Sequence, residues 1–355
     1  MLCVENGVLD ISTPDQPVLE NHSSDLHFRR RFPVQYDPDA DCPRFKQFLD
    51  EVVYDDDRAK LQEFVGYCLH YWGMPFNRAL MLTGPTHSGK STFLNVVAAL
   101  LGEDNVARQS LQDLSNRFGP AELYGKYANI RADLDTDTVE NIGLFKELAA
   151  GDRIRAEEKY EHPFRFQVTQ KQLYAANEVP DLAHEDDVFH ERWIHVQFPE
   201  TVPDDERDEH LDNRLTTDDE LAGVLNWALE GYARLMRQGG FTDERSIDGK
   251  KDIWRSQGDS IDQFVDAVLE VDPDAETPKS DVYDAYREFC DDIDRQPEAK
   301  QTLTKRLQRE YSVHTTRPTI DSRRVRCYAG VAIAGESSEP NFDLEVEEIA
   351  VGEGL

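Results

Sequence analysis

The chain has 355 residues and is 39% apolar, with 17 Phe and 13 Tyr, which is enough to bury a core and excludes disorder of the whole chain. Its 71 acids outnumber 39 basic residues for a net charge of −32, so a surface basic throughout is excluded and any nucleic-acid contact is confined to a local patch. Cys3, Cys42, Cys68, Cys290 and Cys327 form no C-x-x-C pair, and no apolar run approaches the roughly 18 residues of a membrane span. These features point to a cytoplasmic protein with reduced thiols and no structural zinc.

Residues 1–75 read as an N-terminal region in two parts. Over 1–42 the turn signals Asn6-Gly7, Thr13-Pro14-Asp15 and Asp37-Pro38 punctuate short strands. From Pro43 the apolar spacing becomes helical, through Phe45, Phe48, Leu49, Val52 and Val53 and again over Leu61–Trp72, with Asp55 to Asp57 expected to break the two helices. Residues 76–240 alternate strand and helix signals: Ala79–Thr83, then an apolar helix over Thr92–Leu101, then buried-strand candidates at Tyr127–Ala132, Gln172–Ala176 and Trp193–Phe198. That alternation predicts an α/β fold with a central sheet. The acidic run DDERDEHLD reads as a solvated connector, and a helix over 221–238 closes at Gly239-Gly240. Residues 241–335 read as helices followed by a short β-hairpin, and 336–355 as an acidic, disordered tail.

The run GPTHSGKST, comprising Gly84, Pro85, Thr86, His87, Ser88, Gly89, Lys90, Ser91 and Thr92, fits G-x-x-x-x-G-K-[ST] between a buried strand and an apolar helix. Its glycines let the backbone curl so that successive N–H groups face phosphate oxygens. Lys90 supplies a point charge for the β- and γ-phosphates, and the Ser91 hydroxyl is a ligand for Mg²⁺. The cofactors expected are therefore ATP and Mg²⁺. Such a site needs a carboxylate at a second strand end, and Asp133 follows the Tyr127–Ala132 strand with Asp135 two residues on; in so acidic a chain, a stray Asp is the alternative. Asn177 ends the next strand as a candidate for orienting water at the γ-phosphate, or else as an ordinary strand-end turn residue.

In order, GPTHSGKST, YANIRADLD, FKELAAGDRIRAEEKY, QLYAANEVP and FHERW resemble superfamily-3 helicases, and more closely the helicase half of the phage/plasmid primase–helicase family. The likeness extends over most of residues 5–332. It implies a P-loop NTPase (AAA+-like) core with a central parallel sheet, an N-terminal helical region and a C-terminal winged-helix domain, assembled as a homo-hexamer on single-stranded DNA. On that basis Lys90 and Ser91 hold phosphate and Mg²⁺, Asp133 takes the acidic position on the metal, and Asn177 takes the sensor position. Arg192 becomes the arginine reaching a neighbouring subunit's ATP. Gly151–Phe166 becomes a pore hairpin whose Arg153, Arg155 and Lys159 contact DNA; read from its residues alone, it is a charged surface hairpin turning at Glu161-His162-Pro163. Two departures stand out. The family's two adjacent arginines before the Trp are here Glu191-Arg192, and residues 1–42 leave no room for a primase site, so any primase is a separate partner.

Residues 299–328 carry eight basic residues, among them Lys305, Arg306, Arg309, Arg323, Arg324 and Arg326, against only Glu310 and Asp321. Concentrated positive charge on a helix and a following hairpin is the footprint of a DNA-binding module; the alternative is pairing with acids elsewhere on the surface. Acid excess with only 12 Lys beside 27 Arg suits high salt and a haloarchaeal host or its virus or plasmid, or else an acidic protein of an ordinary cell. The expectation is a DNA-stimulated ATPase and helicase of element replication. A DNA-binding ring or loading factor with little unwinding, and a small-molecule phosphotransferase, are the other readings.

Overall fold

The computed structural model describes residues 1–134, 141–180, 186–203, 207–208, 210–257, 260–292, 297–311, 313–320 and 323–334. The chain divides into two compact units, Met1–Gly258 and Asp259–Leu355.

The first unit opens with a three-stranded antiparallel sheet of β1 (Leu2–Val4), β2 (Gly7–Asp10) and β3 (Val18–Glu20). Helix α1 (Pro43–Val52) starts on a proline at its first turn, where no N–H is missed, and buries Phe45, Phe48, Leu49 and Val52 along one face. Helix α2 (Asp55–Leu69) corrects the expected break: Asp55, Asp56 and Asp57 form its first turn, and the chain breaks instead at extended Val53 and Tyr54. Three carboxylates at a helix start face the positive end of its dipole, so an acidic cluster favours initiation there.

The core follows in chain order as β4 (Ala79–Thr83), α3 (Lys90–Leu101), β5 (Val106–Ala107), α4 (Leu111–Ser115), β6 (Ala128–Arg131) and α5 (Ile142–Ala150). A hairpin of β7 (Arg153–Ala156) and β8 (Phe164–Gln167) comes next, then β9 (Lys171–Ala175), α6 (Asp187–Glu191) and β10 (Trp193–Gln197). Helices α7 (Leu211–Leu215), α8 (Asp218–Gln238) and α9 (Ile247–Gln257) complete the unit. Strands β10-β4-β9-β6-β5 lie in that order in one sheet, every pair parallel. Because both faces are covered, β4 and β9 are buried at every residue, and β4 reads as an apolar run rather than an alternation. Leu80 and Leu82 point to the face covered by α1, α2, α3 and α8, while Ala79 and Met81 point to the face holding Phe145, Phe189, Trp193 and Trp254. Helix α9 is in this unit, anchored by Trp254 donating to the Pro180 carbonyl at 3.0 Å, although the sequence groups it with the C-terminal region.

The second unit contains α10 (Ser260–Val268), β11 (Leu269–Pro278), α11 (Lys279–Asp292), α12 (Lys300–Glu310), β12 (His314–Thr316), β13 (Thr319–Ile320), β14 (Arg323–Arg324) and β15 (Cys327–Ile333). It has its own core, with Phe264, Val282, Tyr286, Leu303, Leu307, Tyr328 and Val331. Strand β11, unread in the sequence because LEVDPDAETP carries acids and prolines, pairs with β15 around an irregularity between Asp272 and Glu276. Among the described residues, no helix is long and apolar enough to cross a membrane.

Candidate nucleotide and nucleic-acid sites

Because β4, β9 and β6 run parallel, the segments leaving Thr83, Ala175 and Arg131 emerge at one edge of the sheet. Gly84 leaves β4 at φ 142°, and a Cβ there would lie 2.0 Å from the Phe198 carbonyl oxygen, so no other residue fits. Left-handed His87 (φ 63°) and Gly89 (φ 95°) complete the curl, and Gly89 caps α3. The loop is braced from outside its own sequence: Val202 N–H donates to the His87 carbonyl at 3.1 Å and Thr201 Oγ1 to the Thr86 carbonyl at 3.2 Å. No local signal in the sequence marks Thr201 and Val202 for this role.

Lys90 is buried and folded over the loop, its Nζ donating to the carbonyls of Gly84 (2.6 Å) and Pro85 (2.7 Å), to Ser88 Oγ (3.2 Å) and to Asn177 Oδ1 (3.4 Å). Burial pushes its pKa down to about 8, while the Asp133 charge acts in the opposite direction. Asn177 also donates from Nδ2 to Thr86 Oγ1 at 3.3 Å, and its carbonyl accepts from Gly84 N–H at 3.2 Å. Asn177 therefore ties the end of β9 to both ends of the loop. Asp133 is exposed just beyond β6, its carbonyl accepting from Arg131 Nε at 2.9 Å, and Ser91 is exposed in the first turn of α3. Lys90, Ser91, Asp133 and Asn177 are thus brought to one edge; Asp135 lies outside the described residues.

Arg192 sits at the opposite edge. It immediately precedes β10, whose Trp193 is in register with Ala79, and its carbonyl accepts from Ala79 N–H at 2.8 Å. Five strand residues at a rise of about 3.3 Å put the two edges roughly 15 Å apart. Glu191 is occupied there: its carboxylate is 3.8 Å from Arg78 and its carbonyl accepts from Lys250 Nζ at 2.9 Å. Glu244 binds both Arg78 and Lys250 at 2.6 Å, so these four residues lock α9 to the α6–β10 junction.

In the β7–β8 hairpin, Ile154, Ala156 and Phe166 face inward, while Arg153, Arg155 and Arg165 are exposed, with Arg155 and Arg165 directly opposite each other. Tyr160 projects from the connection at 92% exposure with left-handed φ of 72°, and Lys159 Nζ lies 5.1 Å from its ring centroid. The hairpin therefore presents cations and one aromatic ring on a supported arm. In the second unit, Lys305 and Arg309 are exposed on α12 and Arg306 is partly so, all bordering a shallow depression of about 600 Å³. Arg324 and Arg326 are exposed on and after β14; Arg323 begins that strand.

The mixed α/β unit with its five-stranded parallel sheet fits the class of nucleotide-binding α/β cores. Residues 1–54 match D5 N terminal like, residues 82–192 match the Family of unknown function (DUF5906), and residues 256–321 match Poxvirus D5 protein-like. Over these two stretches, one at each end of the chain, the sequence is similar to D5-type proteins. Solved structures of the NrS-1 C-terminal region, both A-form apo, align with TM-scores of 0.48 at 12% identity, covering 83% of this chain and 77% of that one, and 0.46 at 10% identity, covering 84% and 77%.

Proposed function

We propose that the chain is an ATP-dependent DNA helicase of the superfamily-3, AAA+-like type, acting as a homo-hexamer in replication of a phage, plasmid or integrated element. The observation that carries this reading is the placement of Lys90, Ser91, Asp133 and Asn177 at one sheet edge with Arg192 at the other. Bound MgATP supplies the hydrolysable phosphoanhydride and the metal's charge. Lys90 exchanges its carbonyl partners for β- and γ-phosphate oxygens, Ser91 and Asp133 hold the metal, and Asn177, already bonded to Lys90, positions water at the terminal phosphate. Because Arg192 is remote from its own loop, it serves the site of the adjacent subunit, which makes hydrolysis depend on assembly.

The hairpin cations Arg153, Arg155 and Lys159 line the DNA path, and α12 with the β13–β14 hairpin is a winged-helix contact to DNA through Lys305, Arg306, Arg309, Arg323, Arg324 and Arg326. The acid excess adapts the remaining surface to high salt. The test is ATP hydrolysis in graded KCl with and without single-stranded DNA, wild type beside Lys90→Ala. Turnover that rises with DNA and is lost in the variant supports the motor. Turnover indifferent to DNA overturns it, and ATP-dependent ring formation without turnover identifies a loading factor instead.

A further inference from the structure

A second cationic surface lies in the first unit, adjoining the base of the β7–β8 hairpin. An open groove of about 820 Å³ runs between the segment around Arg29 and Arg30, the turn Tyr124-Gly125-Lys126, and the base of the hairpin at Phe166 and Gln167. One residue in five of the chain is an acid, yet none of the fourteen described residues lining this groove is. Arg29 is exposed, and neither it, Arg30 nor Lys126 has a carboxylate partner among the described residues. Arg30 and Lys126 instead donate to the same neutral acceptor, the Asp104 carbonyl, at 2.8 and 2.7 Å. Two like charges are thereby held side by side without an ion pair among the described residues, an arrangement that an incoming anion relieves.

The aromatic side of the groove complements this charge. Tyr124 is 51% exposed, yet its ring is fixed by edge contacts to Phe164 (5.1 Å) and Phe166 (5.4 Å), so a free face is presented without loss of side-chain freedom on binding. Tyr71 packs against Tyr127 at 4.8 Å on the same wall. Cations beside a fixed aromatic face match a strand whose bases are unpaired, because a base within a duplex has no face to offer. We propose that this groove binds single-stranded DNA, with Arg29, Arg30 and Lys126 on phosphates and Tyr124 stacking a base, and that it continues the strand's path from the base of the β7–β8 hairpin. The inference deepens the DNA-acting reading and rests on it.

The test uses the full chain with fluorescent oligothymidine in anisotropy, and iododeoxyuridine-substituted oligonucleotide for photocrosslinking mapped by mass spectrometry. Crosslinks at Tyr124 or Tyr71 are expected. Tyr124→Ser is expected to weaken binding by about tenfold, with Tyr124→Phe retaining it, since stacking needs only the ring. Arg29→Ala is expected to reduce the slope of log K against log salt by about 0.7, the signature of one lost phosphate contact on a single strand, with DNA-free ATP turnover unchanged. Crosslinks confined to the hairpin tip and α12, with affinity unmoved in these variants, overturn the groove while leaving the helicase reading standing. Absence of any crosslink together with DNA-indifferent turnover overturns both. Tighter binding of a ribo-oligonucleotide in competition overturns the assignment to DNA.

Discussion

The two edges of the five-stranded sheet are built in opposite ways. At the edge where β4, β6 and β9 end, the groups that matter are held by backbone: Lys90 rests on two carbonyls, Asn177 bonds the loop through its own carbonyl, and Gly84 is demanded by the Phe198 carbonyl. At the edge before β10, charged side chains pair with one another: Arg78 with Glu191 and Glu244, and Glu244 with Lys250, which also donates to the Glu191 carbonyl and pins α9. The first arrangement leaves its charge free to change partners when a polyanion arrives. The second spends its charges on structure, and under the proposed function Arg192 beside it would act on the site of a neighbouring subunit.

The comparison is broken most directly by removing one charge from each edge. Lys90→Ala and Arg192→Ala are each expected to lower ATP turnover by about 10³-fold. Mixing the two variants should restore a fraction of the activity, because some interfaces then pair an intact loop with an intact arginine. No recovery on mixing would place Arg192 outside the catalytic interface. A smaller effect is expected from pH. The lysine's pKa is lowered to about 8 by burial, so the free protein sheds that charge above pH 8, and triphosphate affinity should fall about fivefold between pH 8 and 9 as binding must recover the proton. The corresponding contribution to folding runs the other way. The unfolded lysine keeps its proton up to about pH 10.4, so this group makes stability rise with pH between 8 and that value. Isothermal titration with ATP in the two buffers, beside thermal unfolding, separates the two signs.

At the other edge, Arg78→Ala should cost about 1–3 kcal/mol of stability by removing one of the two cations that bind Glu244 and loosening α9, with ATP affinity unchanged. Calorimetry with a parallel ATP titration checks this, and a lost affinity would show that the edges are coupled. Glu191→Gln is the mildest change. Its ion pair with Arg78 is long and partly exposed, so stability should move by no more than about 1 kcal/mol; turnover that rises severalfold would mean the carboxylate restrains Arg192.

Much of the first unit was legible in the chain because its signals are local. Ala79–Thr83 reads as a strand since a sheet covered on both faces asks for an unbroken apolar run, and the reading of Trp193–Phe198 as a strand is met by Trp193–Gln197. Where the reading failed, a local rule had two uses: Asp55 to Asp57 look like a breaker and serve as a helix start. Strand β11 was hidden because its pairing with β15, and not its own residues, makes it a strand.

By itself the sequence determined the curl of Gly84–Thr92 and the amphipathic helices around it, because positive φ at glycine and apolar periodicity act within a few residues of each position. Only the tertiary structure decided that Asp133 and Asn177 share the edge with Lys90 while Arg192 does not, that Thr201 and Val202 brace the loop, and that Arg29, Arg30, Tyr124 and Lys126 line one groove. Those placements follow from the strand order β10-β4-β9-β6-β5, which is set by packing between residues far apart in the chain and leaves no mark at any one of them.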